Sequence, residues 1–279
     1  MLVGSSFYDK YVQPMPDKPP PEIQSNPKLY PYFKYCRGAL DGSYFHAWVR
    51  EEAMARHRTR KGLISQNVLA ACDFSMKFTY ILSGWEGSAA DSTIFEYARE
   101  HDLAIPAGRY LLADAGFPIC DELITPYHGV RYHLKEWARG SQRPQTYQEL
   151  FNLRHAQARN VIERVFGIIK KRFNLLRAAP EYSEVMQAKF VSSIGALHNF
   201  IRIHDPSDNA MTESVDGEIT TASGTHLVEE GPGQPREISQ EELGFQITNE
   251  EKERAEARRD RIAKKMWDDY QVILRERQE

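Results

Sequence analysis

The chain has 279 residues, 41% of them hydrophobic, with 36 Lys and Arg against 39 Asp and Glu, which allows one sizeable core plus appendages. Cys36, Cys72 and Cys120 form no CxxC pair, which argues against a zinc ribbon or a disulfide framework and suits a reducing compartment. No apolar run reaches the length of a membrane span and the N-terminus lacks the pattern of a signal peptide, so the expectation is a soluble intracellular protein without membrane partners.

Residues 1–34 hold seven prolines up to Pro31, including Pro19-Pro20-Pro21, and read as an extended arm on the surface of the domain. Arg37-Gly38-Ala39-Leu40-Asp41-Gly42 then predicts a short buried strand ending in an acid, with the chain resuming at Ser43. An Asp before Gly is also a common turn residue. Arg50 to Lys61 is a cationic loop in which Arg56, Arg58, Arg60 and Lys61 are candidates for contacting phosphates. Leu63–Cys72 and Lys77–Ser83 predict an antiparallel pair joined at Asp73, with Gly84 to Ser88 closing it. Asp91-Ser92-Thr93 opens a helix through about His101, with an acid or a hydroxyl available as its cap.

Gly108 to Pro118 repeats the design at Asp41: an apolar strand runs into Asp114 and is stopped by Gly116 and Pro118. Two such strands side by side would bring two carboxylates to one sheet edge, where like charges raise each other's pKa unless a cation lies between them. A short strand is expected near Val130–Leu134, followed by a polar turn from Gly140 to Pro144. Thr146 and Glu149 form a capping box. Asn152 to Arg177 reads as one helix whose stripe of Ile162, Val165, Phe166, Ile169 and Phe173 faces the core. Glu163 flanks that stripe together with Arg159 and Lys170; it is either a cleft carboxylate or only the surface partner of Arg159. A further helix, Ser183–His204, is expected to pack on the sheet through Val185, Phe190, Val191, Ile194, Leu197 and Ile201, with His198 and Asn199 as buried hydrogen-bonding groups.

Residues 206–279 contain 18 acids and 10 Lys and Arg, a net −8, leaving +5 on the first 205. A basic body of this kind is compatible with a polyanionic partner. Residues 206–249 read as a disordered linker. From residue 250 to the end the chain is dense in charge, with a helical spacing that fits an isolated helix or one docked on a partner.

Asp41, Asp114 and Glu163 thus fall on strand, strand and helix. Two divalent ions held by three carboxylates can activate a hydroxyl and stabilise the leaving oxygen of an in-line displacement at phosphorus. The element order suits an α/β fold with a mixed sheet flanked by helices over residues 35–205. GALDGSYF, RKGLISQNVLAACDF, FTYILSGWEGSAADSTIF, LLADAGFP and NLRHAQARNVIERVFGIIKKRFNLL together resemble the DDE domain of PIF/Harbinger-type transposases, particularly fungal versions. The resemblance implies an RNase H-like fold and a catalytic, metal-binding triad of Asp41, Asp114 and Glu163. It also implies Mg2+ or Mn2+ as two bound ions, cleavage of element ends and transfer of the freed 3′-hydroxyl to target DNA. Asp91 matches a recurrent acid of the family, as an auxiliary metal ligand or as a helix cap; Asp73 matches another, expected to do turn chemistry.

DNA is expected against Arg56, Arg58, Arg60, Lys61, Arg159, Lys170, Lys171 and Arg172. A nuclear location, a separate Myb-like DNA-binding partner and a homo-oligomer follow from the same resemblance. Relatives carry a helix-turn-helix region ahead of this domain, whereas this sequence starts almost at the proline-rich arm. They also often hold a Thr-His pair after the Asp-Gly that here reads Ser43-Tyr44. The competing expectation is a truncated or domesticated derivative that binds DNA or protein without cutting.

Overall fold

The computed structural model describes residues 6–132, 134, 143–205, 207–208 and 247–276. Its centre is a five-stranded mixed sheet in the order β3-β2-β1-β4-β5. The strands are β1 (Cys36–His46), β2 (Ser65–Cys72), β3 (Phe78–Glu86), β4 (Tyr110–Leu112) and β5 (Leu123–Ile124). β1 to β3 form an antiparallel meander, and β4 and β5 add parallel strands on the other side of β1. Helices flank the sheet, so the architecture is α/β and RNase H-like, as expected.

β1 is longer than the sequence suggested. It runs unbroken through Asp41 and Gly42, because β2 pairs with it from Ala39 to His46, a ladder that the glycine does not interrupt. β4 pairs only with its first part, Cys36 to Ala39. β1 therefore outruns its parallel neighbour, and Asp41 sits just past the point where β4 ends. β3 likewise continues through Gly84 and Trp85 to Glu86 instead of closing there. At the β2–β3 turn, the Asp73 carboxylate accepts from Ser75 Oγ at 2.7 Å and Lys77 N at 2.9 Å, the turn chemistry expected of it.

The helices are α1 (Ser6–Tyr11), α2 (Pro21–Gln24), α3 (Met54–His57), α4 (Asp91–His101), α5 (Tyr147–Arg172), α6 (Leu175–Ala178), α7 (Glu184–His204) and α8 (Asn249–Glu276). α5 packs on one face of the sheet, where Val161, Ile162, Val165, Phe166 and Ile169 meet Ala39, Phe45, Val68 and Phe78. α4 covers the other face, with Ile94, Phe95 and Ala98 against Leu40, Leu69 and Leu111. Thr146 caps α5 by accepting from Glu149 N at 3.2 Å, while the Glu149 carboxylate reaches back to Gln145 N at 2.7 Å. The helix stops at Arg172, short of the expected Arg177: Phe173 turns extended and the chain restarts as α6.

α7 is pinned by buried polar groups. Asn199 accepts from Phe78 N at 2.8 Å and donates to Phe78 O at 2.7 Å and Tyr11 O at 2.8 Å. His198 Nε2 lies 2.9 Å from Met76 O. Both residues are structural, as expected; Val185, placed in the apolar stripe by sequence, is exposed in the helix's first turn.

Three sequence expectations are corrected. The proline-rich segment is not an extended arm: it forms α1 and α2 and buries Tyr11, Val12, Met15, Ile23, Leu29 and Phe33, with Pro21 at the first helical position of α2. Residues 130–132 are not a strand. The Asn152 side chain takes the hydrogen bonds of Tyr127 N (2.8 Å), Tyr127 O (3.0 Å) and Val130 O (3.3 Å), so no ladder forms there. Residue 133, residues 135–142 and nearly all of 206–246 lie outside the described residues, together with the polar turn and linker expected there.

The third correction concerns the charged C-terminal helix, which is neither isolated nor left for a partner. α8 returns to the body, burying Ala255 and setting Ala263 and Met266 beside Phe33, Tyr110, Ile124 and Phe151. Tyr32 donates to Asp269 at 2.7 Å, Tyr127 donates to Asp260 at 2.6 Å, and Arg259 lies 4.1 Å over the Tyr127 ring. Met266 is fully buried, so Met266→Ala is expected to cost about 2–5 kcal/mol, read from urea unfolding followed by circular dichroism.

Candidate active site

The parallel register pairs Ala39 with Leu112, so two residues further on Asp114, past the end of β4, comes level with Asp41, which stays in β1 on the β2 ladder. Neighbouring strands lie about 4.8 Å apart. Alternation along β1 turns Asp41 to the α5 side, the side of Phe45, and there Arg159 donates to its Oδ2 at 2.8 Å. Arg159 also donates to Glu163 Oε1, one turn on along α5, and to Tyr132 OH at 2.7 Å. One guanidinium thus lies between two of the acids. Glu163 is exposed and pairs with Arg159 one turn before it, and the same guanidinium reaches Asp41.

Burial pushes the Asp41 carboxyl up to about 7; Arg159 opposes that shift, while Asp114, Glu163 and Asp91 reinforce it. Burial works against the Arg159 charge, but Asp41, Tyr132, Glu163 and Asp114 outweigh it and keep the guanidinium firmly protonated. The carboxylates form a repelling group whose charge is partly balanced by one buried arginine.

Asp91 joins from the opposite face. Ala90, not Asp91, occupies the cap position of α4, so the cap expectation fails. The Asp91 carboxylate accepts from Asn67 Nδ2 at 2.6 Å and lies against Gly42, where an added Cβ would be 2.3 Å from Asp91 Oδ1. Gly42 is required here by that close approach, not by a turn. Burial raises the Asp91 pKa, with Asn67 opposing, Asp114 adding and Arg60 opposing. Asp114 Oδ1 accepts from Gly116 N at 2.8 Å, which sets the turn after β4.

The expected DNA-binding cations separate into groups. Arg56, Arg58, Arg60 and Lys61 are exposed on the loop around α3, with Arg56 3.3 Å from Glu86. Lys170 is half-buried: its Nζ donates to Ser43 Oγ at 2.7 Å and lies 4.6 Å over the Phe45 ring, and burial lowers its pKa to about 8 against the pull of Asp41. Lys171 is exposed, Arg172 pairs with Asp208, and Arg159 is buried among the acids. Tyr132 and Asn67, which hold Arg159 and Asp91, were missed by sequence reasoning; no spacing signal marks either.

Among the described residues, the one group of three ligand-bearing side chains whose ligand atoms all lie within 4.8 Å of one another is elsewhere: Cys120, Glu122 and Glu251. Arg99 lies 3.0 Å from Glu122 and 2.7 Å from Glu251, so that cluster already has its cation and serves to anchor α8.

The profile of the DDE superfamily endonucleases matches residues 50–199. The chain belongs to this family. The matched stretch includes Asp91, Asp114 and Glu163 and begins after Asp41, whose place in the group comes from the β1–β4 register. The chain is 26% identical to human HARBI1, named as a candidate nuclease, over 151 residues, 52% of this chain and 40% of that protein. It is 26% identical to the Arabidopsis thaliana protein ALP1-like over 156 residues, 49% of this chain and 35% of that protein. The match thus spans at most two fifths of these curated relatives. These findings bear out the resemblance to Harbinger-type transposases. No solved structure matches the chain significantly. Among the described residues of this DDE endonuclease-family chain, no helix is long and apolar enough to cross a membrane.

Proposed function

We propose that the chain is a divalent-metal-dependent DNA endonuclease and strand-transferase of transposon origin, acting in the nucleus, with Asp41, Asp114 and Glu163 as catalytic metal ligands and Asp91 as an auxiliary acid. The observation that carries this reading is the register that puts Asp41 beside Asp114, with Glu163 reached through Arg159. The donors are all carboxylate oxygens, and Asp41, raised first by burial and then by its acidic neighbours, would recover its charge beside a hard cation such as Mg2+ or Mn2+. Asp41, Asp114 and Glu163 would hold the ions, with Arg159 giving up its place between Asp41 and Glu163 when they bind. Bound ions would supply activation of a water or 3′-hydroxyl and stabilisation of the leaving oxygen.

The chain's own residues do the rest. Arg159 balances Asp41 and Glu163 before any ion arrives and keeps them facing each other. Lys170 of α5, held at Ser43 two residues along β1 from Asp41, presents an amine on the same face for a phosphate oxygen. Arg56, Arg58, Arg60 and Lys61 provide the exposed cations that hold the duplex backbone, so affinity should fall steeply with salt.

The test is nicking of supercoiled plasmid in Mg2+ or Mn2+ beside a chelated control. Conversion to open circle in either metal alone is the expected result; intact plasmid in both would overturn the reading.

A further inference from the structure

Tyr44 is an exposed aromatic residue beside a group of carboxylates. Its ring is 46% accessible, although its strand is the middle one of the sheet, because β4 ends before reaching it. Alternation along β1 sets Tyr44 on the same face as Gly42, the face on which the Asp91 carboxylate rests. Across the ladder Tyr44 is paired with Asn67, whose side chain donates to Asp91 at 2.6 Å. The next strand brings Trp85 opposite Asn67. Arg60, exposed on the loop around α3, acts electrostatically on both Tyr44 and Asp91. A half-exposed aromatic side chain, an exposed arginine on the neighbouring loop and the Asp91 carboxylate against Gly42 are the parts of a stacking site for nucleobases.

We propose that Tyr44 is the stacking platform for an unpaired nucleotide of the DNA substrate, on the Asp91 side of β1 and therefore across the strand from Asp41, with Arg60 on the neighbouring loop available to the backbone. A paired base has both faces occupied by its neighbours in the duplex and offers nothing to Tyr44. A base freed by a gap or an extrusion gains a partner there that offsets part of the unstacking. The preferred substrate is therefore DNA with a locally single-stranded position at the cleavage site. This inference rests on the DNA-cleaving reading above and names its substrate more closely.

The test is anisotropy of the full chain with a labelled duplex and with the same duplex carrying a short single-stranded gap, in EDTA so that no cleavage intervenes. Wild type is expected to bind the gapped DNA more tightly, and Tyr44→Ala to lose about tenfold on gapped DNA with little change on duplex. Tyr44→Phe, which keeps the ring, should bind as wild type does. Tyr44 is exposed, so the Ala variant should keep its fold, and its circular dichroism checks this. Equal binding of gapped DNA by wild type and Tyr44→Ala overturns the inference alone. Failure of wild type to bind either DNA overturns the DNA-cleaving reading and this inference with it.

Discussion

Asp114→Asn is expected to abolish metal-dependent nicking, a loss on the order of a thousandfold, while the protein stays folded. The substitution is nearly isosteric, and the amide oxygen can still accept from Gly116 N, the 2.8 Å contact that shapes the turn after β4. What disappears is a charge that would hold a divalent ion. That same charge raises Asp41 and Asp91, so its removal should relieve repulsion in the metal-free site. Two readouts separate this from misfolding. Without metal, the variant should melt at or slightly above the wild-type temperature. With excess Mg2+ or Mn2+, wild type should gain thermal stability by mass action and the variant much less. A variant that nicks plasmid like wild type would remove Asp114 from the chemistry.

The second large effect is acid destabilisation through two neutral histidines. Burial lowers His155 to about 3 and His198 to about 4 from 6.5. Each spends its Nε2 on a carbonyl, Ile124 O at 3.0 Å and Met76 O at 2.9 Å, and has Nδ1 buried with no partner to receive a proton's charge. A depressed pKa means the unfolded chain binds the proton first. The stability each contributes is present above pH 6.5 and is lost as pH falls toward its folded value, at up to about 1.4 kcal/mol per pH unit per histidine. Asp41 has the opposite sign. Its folded value of about 7 lies above 3.8, so its contribution is present below pH 3.8 and lost as pH rises through 7. Between pH 4 and 6.5 the three groups leave a net uptake of one proton on unfolding. In His198→Gln the amide can still donate to Met76 O, and that uptake should vanish. The difference between the wild-type and variant stability curves should change by about 1.4 kcal/mol per pH unit from pH 6.5 to about 5. Parallel urea-unfolding curves over that range would rule out His198 as the source.

Much of this was legible because the signals were local. Thr146 with Glu149 marked the start of α5, and an apolar run ending in Asp114-Ala115-Gly116 marked the end of β4. Asp41 was found, but not its setting, because whether a Gly interrupts a strand depends on the neighbouring ladder and on what fills its missing Cβ. Arg159 looked like one more cation for DNA; its role between Asp41 and Glu163 depends on how α5 lies across β1, which no one-dimensional spacing encodes. The helical spacing of Ile262, Met266, Tyr270 and Ile273 was legible within residues 249–276, but that this face docks on the chain's own Phe33, Tyr110 and Phe151 depends on contacts remote in sequence.

The return of α8 changes what residues 209–246 are to this protein. Both boundaries of that stretch are fastened to one body: α7 through Asn199 and His198 on one side, α8 through Glu251 and Met266 on the other. A break within it would leave two fragments still clasped together.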